Sequence, residues 1–302
     1  MNATERRERL RRALAGDKLI YPAPIYDPIS ARLADMVGFE IGFMAPTVPA
    51  AAELCAPSDI GVLTPIEFAQ QVRRISRVSD ISLLVVAENG YGNALNAMRT
   101  VEELENAGVA GVIIYDLVQP LSYGTPAEEV GFGTGRPISQ ERLVSIDEAV
   151  GKLKAVLEAR QDPSLVIVGR TMALHLRENP IPETVMRVKA YEAAGVDAIF
   201  VSGLTQMNQV EAVHAATKLP ILTGRHLPET LDQSELAAKG IRMASAGHLT
   251  LWASVRGVYD TLKAFREGKT QSDLRPSIAS PELMAELTRQ EEYGDWIEEY
   301  LN

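Results

Sequence analysis

Short apolar runs alternate with amphipathic stretches along nearly the whole chain, and the clearest unit spans residues 83–116. Residues 83–86 form a continuous apolar run with β-branched side chains, as a strand buried on both faces requires. Turn formers follow at Glu88-Asn89-Gly90-Tyr91-Gly92-Asn93. Leu95, Met98, Val101 and Leu104 then recur at helical spacing, and Gly108 stands where such a helix would stop. Residues 112–114 make the next buried strand. The same alternation predicts further strands at 20–26, 41–45, 165–169, 198–201, 220–223 and 241–245. Helices are expected at 29–36, 65–78, 146–160, 183–194, 205–217, 234–238 and 249–267, three of them opened by Asp27-Pro28, Thr64-Pro65-Ile66-Glu67 and Ser145-Ile146-Asp147-Glu148. Eight strand–helix units at this spacing predict a parallel α/β fold, a (β/α)8 barrel, as one domain over residues 1–302.

Three segments fall outside the repeat. The opening ERRERLRRALAGDK mixes bases with acids and leads into no apolar stretch, so it reads as a short amphipathic surface helix within 1–18 and not as a targeting signal. Residues 117–144, rich in Gly and Pro, form a long irregular excursion after strand four, and a gating lid is the expectation. Residues 270–302 carry an amphipathic helical tail that packs on its own barrel or on a neighbour.

Composition narrows the function. A net charge of −10 argues against a nucleic-acid partner. No apolar stretch reaches membrane-spanning length, and a lone cysteine, Cys55, forms no intrachain disulfide, so a cytoplasmic protein is expected. Cys55 reads as buried filler and not as a nucleophile.

In parallel α/β folds the chemistry collects at the C-terminal strand ends. Here those positions hold Tyr26, Ala45-Pro46-Thr47, Glu88-Asn89, Tyr115-Asp116, Arg170-Thr171, Ser202-Gly203, Gly224-Arg225-His226 and Gly247-His248. Arg170 follows an apolar strand, where its planar guanidinium either clamps a carboxylate or pairs internally with Glu88 or Asp116. His248 could act as general acid or base, donate to an enolate oxygen, or serve structure alone. His175 and His214 read as solvated or packing residues.

Asn89-Gly90-Tyr91-Gly92-Asn93, Arg170-Thr171 and the opening Tyr26-Asp27-Pro28-Ile29-Ser30-Ala31-Arg32 together resemble the isocitrate lyase/phosphoenolpyruvate mutase superfamily. The run GYGNALNAMRT and Gly247-His248 resemble most closely its bacterial oxaloacetate decarboxylase branch. The resemblance covers residues 20–300. It implies a barrel that dimerises by exchanging its last helix, commonly as homodimers or homotetramers. It also implies Mg²⁺ and a small α-oxo carboxylate converted through an enolate, with Arg170 on the substrate carboxylate and His248 at the reacting carbon or its oxygen.

Departures accompany the likeness. Val86 stands at the family's direct metal-ligand position, and Tyr115 replaces a further acid. Pro46 interrupts the loop whose N–H groups would hold a carboxylate. Three outcomes stay open: Glu88, Asp59 and Asp116 gather a displaced Mg²⁺; a cation such as Arg225 or protonated His226 carries the electrostatic role; or the barrel no longer catalyses. The leading expectation is a carbon–carbon lyase or decarboxylase on an oxaloacetate-like acid, with Arg170, His248 and Glu88 catalytic and Thr47, Tyr26 and Asn89 also touching substrate. A metal-independent hydrolase or isomerase and a non-catalytic ligand-binding barrel are the alternatives.

Overall fold

A computed structural model of the chain describes residues 1–56, 61–118, 142–176, 180–224 and 232–301. Its centre is a sheet of eight parallel strands in sequential order, β1 (Ala23–Pro24), β2 (Ile41–Met44), β3 (Ser82–Val86), β4 (Gly111–Tyr115), β5 (Val166–Thr171), β6 (Ala198–Val201), β7 (Ile221–Thr223) and β8 (Ile241–Ala244). The ring closes at Ile20, whose N–H donates to Arg242 and whose carbonyl accepts from Ala244, both at 3.0 Å. The strand expected over 20–26 shrinks to Ala23–Pro24 and this bridge because Pro22 and Pro24 have no N–H for a ladder. The (β/α)8 expectation is borne out.

Two buried cores divide the barrel. The inner one joins Phe43, Leu84, Val86, Ile113, Tyr115, Val168, Phe200, Leu222 and Met243. The outer one packs the alternate strand residues, such as Leu83, Val85, Val112, Ile114 and Ile167, against the helices. Leu10 and Leu14 of α1 (Ala3–Ala15) belong to the inner core, which corrects the surface-helix reading. This helix closes the N-terminal end of the barrel. Arg7 donates to the carbonyls of Val109 and Glu105 and to Asp162, while Arg11 donates to the Ser164 and Leu165 carbonyls and to Asp197. Its arginines therefore satisfy strand and loop ends that would otherwise be buried without partners.

Around the strands run α2 (Pro28–Met36), α3 (Thr47–Leu54), α4 (Pro65–Ser76), α5 (Ala94–Ala107), α6 (Ile146–Ala159), α7 (Ala173–Leu176), α8 (Pro180–Ala194), α9 (Met207–Ala216) and α10 (Gln233–Ala238). The Thr64/Glu67 capping box forms as expected, and Gly108 ends α5 at φ 98°. Helix α3 was not expected, since its alanine-rich eight residues show no amphipathic period. Cys55 caps it at φ 48° and is exposed, not buried.

Helix α11 (Leu249–Arg266) follows β8 and buries only Leu251. Trp252, Val255, Tyr259, Leu262 and Phe265 are 44–64% exposed along it. The tail continues as α12 (Gln271–Leu274), a 3₁₀ turn (Arg275–Ser277), α13 (Pro281–Leu287) and α14 (Gln290–Leu301), none with a buried residue. No helix among the described residues is long and apolar enough to cross a membrane.

Candidate active site

Because all eight strands are parallel, the chemistry-bearing residues that follow them share one end of the barrel. The turn after β3 is built for close approach. Glu88, Gly90, Tyr91 and Gly92 all have positive φ, at 50°, 84°, 58° and 147°. Gly90 is required sterically as well, since a Cβ there would overlap Ala97 of α5. Two non-glycine residues in the left-handed region within four positions is a strained arrangement of the kind that collects at functional sites.

That turn delivers Glu88, only 4% exposed, to the inner wall. The Tyr115 hydroxyl, from the end of β4, donates to Glu88 Oε2. The hydroxyl of Tyr91 is buried, has no hydrogen-bond partner among the described residues, and lies near enough to Glu88 to feel its charge. Burial, then that charge, pushes the Tyr91 phenol well above its ordinary pKa, so it stays protonated. Asn89 donates through Nδ2 to the Leu117 carbonyl at 3.2 Å, while its buried Oδ1 has no donor among the described residues.

Arg170 comes from β5. Its strand neighbour Gly169 faces outward, since a Cβ there would touch Tyr191 and Leu153 at 3.1 and 3.2 Å, so Arg170 points inward. Its Nε donates to Ser202 Oγ at 2.9 Å, and its Nη2 lies 3.3 Å from Met172 Sδ. The guanidinium carbon sits 4.7 Å from the Phe200 ring centroid and 5.8 Å from that of Tyr115. Strand register places Tyr115 directly beside Arg170. A cation fixed by one hydroxyl and two aromatic faces is oriented before any ligand arrives.

Asp116, one residue past Tyr115, belongs to the opposite face. Its Oδ2 accepts from Tyr191 at 2.7 Å and from Arg187 at 3.2 Å, both on α8, and its Oδ1 accepts from the Met172 N–H at 3.0 Å. Burial alone would lower the Arg187 pKa, but Tyr191, Asp116 and Glu183 outweigh it and raise the value. The internal partner of Asp116 is therefore Arg187 and not Arg170.

The remaining expected residues spread around the rim. Thr47 is half-buried at the first turn of α3, and the Val48 N–H beside it is used by the Ala45 carbonyl at 3.1 Å. Tyr26 is half-buried, and desolvation raises its phenol despite a hydrogen bond with Ser254 on α11. His248 is half-buried at the N-cap of α11. His175 lies on α7 with its ring against Gly203, the turn after β6, so it stands at the rim and not in an unrelated loop. Asp59, Arg225 and His226 lie outside the described residues. The expected lid is described only at its base, where Leu117 bridges Leu143 and Val118 N–H donates to Arg142 at 2.9 Å.

A divalent ion of the Mg²⁺ type needs about six oxygen ligands in an octahedron. Among the described residues no group of three or more His, Cys, Asp or Glu side chains could hold one. Val86 offers an aliphatic side chain, Asp116 is committed to α8, and Glu88 Oε2 accepts a hydrogen bond from the Tyr115 hydroxyl. The described donor set does not fit the ion.

The chain is similar to known proteins in sequence and in fold. The chain is 44% identical over 291 residues to an oxaloacetate decarboxylase of Rhodopseudomonas palustris (strain BisB18), covering 96% of this chain and 94% of that one. Its fold matches the phosphoenolpyruvate phosphomutase of Streptomyces platensis subsp. rosaceus with a TM-score of 0.82 at 22% identity, over 98% of this chain and 99% of that one. It also matches a phosphonopyruvate hydrolase solved with oxalate and Mg²⁺, with a TM-score of 0.81 at 24% identity over the full length of both. The family model for phosphoenolpyruvate phosphomutase covers residues 10–266, and with it the barrel from α1 to the end of α11. The chain belongs to that family, within the isocitrate lyase/phosphoenolpyruvate mutase superfamily that its strand-end motifs resemble.

Proposed function

We propose that the protein is a carbon–carbon lyase that decarboxylates oxaloacetate or a closely similar α-oxo acid. The observation that carries this reading is Arg170, an inward-facing cation fixed by Ser202, Phe200 and Tyr115 in a barrel whose 44%-identical relative is an oxaloacetate decarboxylase. In the reaction the C3–C4 bond breaks and the C4 carboxylate leaves as CO₂. The bonding pair passes into C2–C3, so that the C2 oxygen becomes an enolate, and a proton added at C3 gives pyruvate.

Each residue takes a part set by its place. Arg170 grips the C1 carboxylate through parallel N–H donors. His248 delivers the proton to C3 from the end of β8, and solvent restores it. Thr47 and Tyr26 line the β1–β2 side of the pocket, and Asn89 presents its open acceptor at β3. The chemistry demands that charge on the C2 oxygen be met by a donor already in position. We assign no step to Mg²⁺.

Exchange at the methyl group of pyruvate in D₂O tests the enolate directly, because it runs the last step backward. Proton NMR with purified protein, with Mg²⁺ and again with EDTA, is expected to show protein-dependent loss of the methyl signal in both samples. No exchange in either, together with no consumption of oxaloacetate, would sink the reading.

The exposed stripe on α11 fits a second copy of this chain, and a homodimer or homotetramer is proposed. A patch of several large apolar residues on one helix is costly to leave in water. Tyr259→Asp with Leu262→Asp is expected to convert the assembly to single chains in size-exclusion chromatography with light scattering. An unchanged mass, or single chains in the parent, would contradict it. The exposed free thiol of Cys55 suits a reducing compartment, and a cytoplasmic location is proposed on that ground.

A further inference from the structure

We propose that the enzyme meets the developing enolate without a divalent cation, and that Tyr115, oriented by Glu88, is the catalytic hydrogen-bond donor in its place. The inference rests on the α-oxo acid reading above and concerns how that site meets the charge. Four observations lead to it.

At the end of β3, the position that could face a metal is Val86, a buried hydrocarbon packed in the inner core with Tyr115 and Phe200. At the end of β4, the inward side chain is a phenol. Its hydroxyl donates to Glu88 Oε2, so one of that carboxylate's two oxygens is already engaged. Asp116 faces the helices and is neutralised by Arg187. Among the described residues only one carboxylate, Glu88, therefore remains at these strand ends, too few for an ion that demands several hard oxygens.

Position supplies the fourth. Tyr115 and Arg170 are register partners on neighbouring strands, and the guanidinium carbon lies 5.8 Å from the phenol ring centroid. In a 2-oxo acid the C2 oxygen is attached one carbon from the carboxylate that Arg170 would grip. The phenol is thus the hydroxyl on the strand position directly beside Arg170, while the Ser202 hydroxyl already accepts from Arg170 Nε. Glu88 holds that donor in place in the free enzyme. When charge builds on the C2 oxygen, the O–H turns about its own C–O bond from Glu88 to the enolate, and no proton is gained or lost by the pair. Buried surroundings strengthen the bond, since little water competes for it.

The test uses chelator-treated protein, Mn²⁺ as the metal probe and oxalate as a planar mimic of the enolate. Electron paramagnetic resonance is expected to show no Mn²⁺ bound in the micromolar range, with oxalate or without it. Calorimetry in EDTA is expected to show oxalate binding, weakened about tenfold or more by Tyr115→Phe, as for loss of one hydrogen bond to a charged group. In the same variant kcat for oxaloacetate is expected to fall on the order of a hundredfold while KM moves by less than about threefold. Micromolar Mn²⁺ binding, oxalate binding that requires metal or is absent, or a Tyr115→Phe protein that binds oxalate as well as its parent would each overturn the proposal. If metal-free oxalate binding through Tyr115 holds but oxaloacetate is not consumed, the donor assignment stands and the decarboxylase reading falls.

Discussion

Replacing Arg170 with alanine is expected to lower kcat/KM for oxaloacetate by about a thousandfold, roughly 4 kcal/mol of transition-state binding. The loss has two sources. A bidentate clamp on a carboxylate is among the stronger hydrogen-bonded contacts, and a substrate that loses it also loses its alignment with the phenol and His248. The effect on folding should be smaller than that on turnover, because the guanidinium sits on Ser202, Met172 and two aromatic rings at the barrel end, and each of these keeps its place at the strand ends without it. Arg170→Lys is expected to recover little, since an ammonium keeps the charge without the planar fork. Circular dichroism melts beside initial rates check both halves. A variant that turns over at the parental rate would remove Arg170 from the mechanism.

Asp116→Ala is expected to act in the opposite sense, on stability first. Asp116 and Arg187 are 1% and 3% exposed at their side chains, and removing the carboxylate strands a buried guanidinium with Glu183 and one carbonyl. Breaking such a pair typically costs about 3–5 kcal/mol. For a chain of this size that corresponds to a fall in Tm of roughly 5–8 °C. Asp116→Asn retains shape and part of the bonding and should lose about half as much. Below its melting range Asp116→Asn should still turn over, because the residue serves the β4–α8 contact and not the substrate. A stable but inactive Asp116→Asn protein would return Asp116 to the site.

These two residues show what could be read from the chain alone. The barrel was legible because its strands are continuous apolar runs and its helices open on N-cap side chains at Asp27, Thr64 and Ser145. Arg170 was legible for the same reason, as a cation at the end of an apolar strand. The internal partner of Asp116 was not, because both Glu88 and Asp116 stand at strand ends, and only the alternation of β4 sends Tyr115 inward and Asp116 out to Arg187. Tyr115 itself was read as a lost acid, whereas its hydroxyl replaces an acceptor with a donor. A strand-end tyrosine opposite a buried Glu was the signal available. Helix α1 was misjudged because five arginines suggest solvent, yet Arg7 and Arg11 spend their donors on backbone carbonyls at the barrel floor. Nothing in periodicity reveals that a helix plugs a barrel.

The His248 and Thr47 assignments rest on strand-end position, and Glu88 keeps a role in every version of the site, as anchor of the phenol or as acid–base group. What unites them is the claim that this barrel end breaks a carbon–carbon bond next to an oxo group. The most direct measurement is the conversion of oxaloacetate to pyruvate followed by proton NMR in EDTA, with purified protein, its Arg170→Ala variant and buffer alone. Pyruvate appearing at least about a hundredfold faster than in buffer, and near the buffer rate with Arg170→Ala, is the predicted result, well within what enzymes of this kind supply. Oxaloacetate lost at the buffer rate in all three samples would contradict the account.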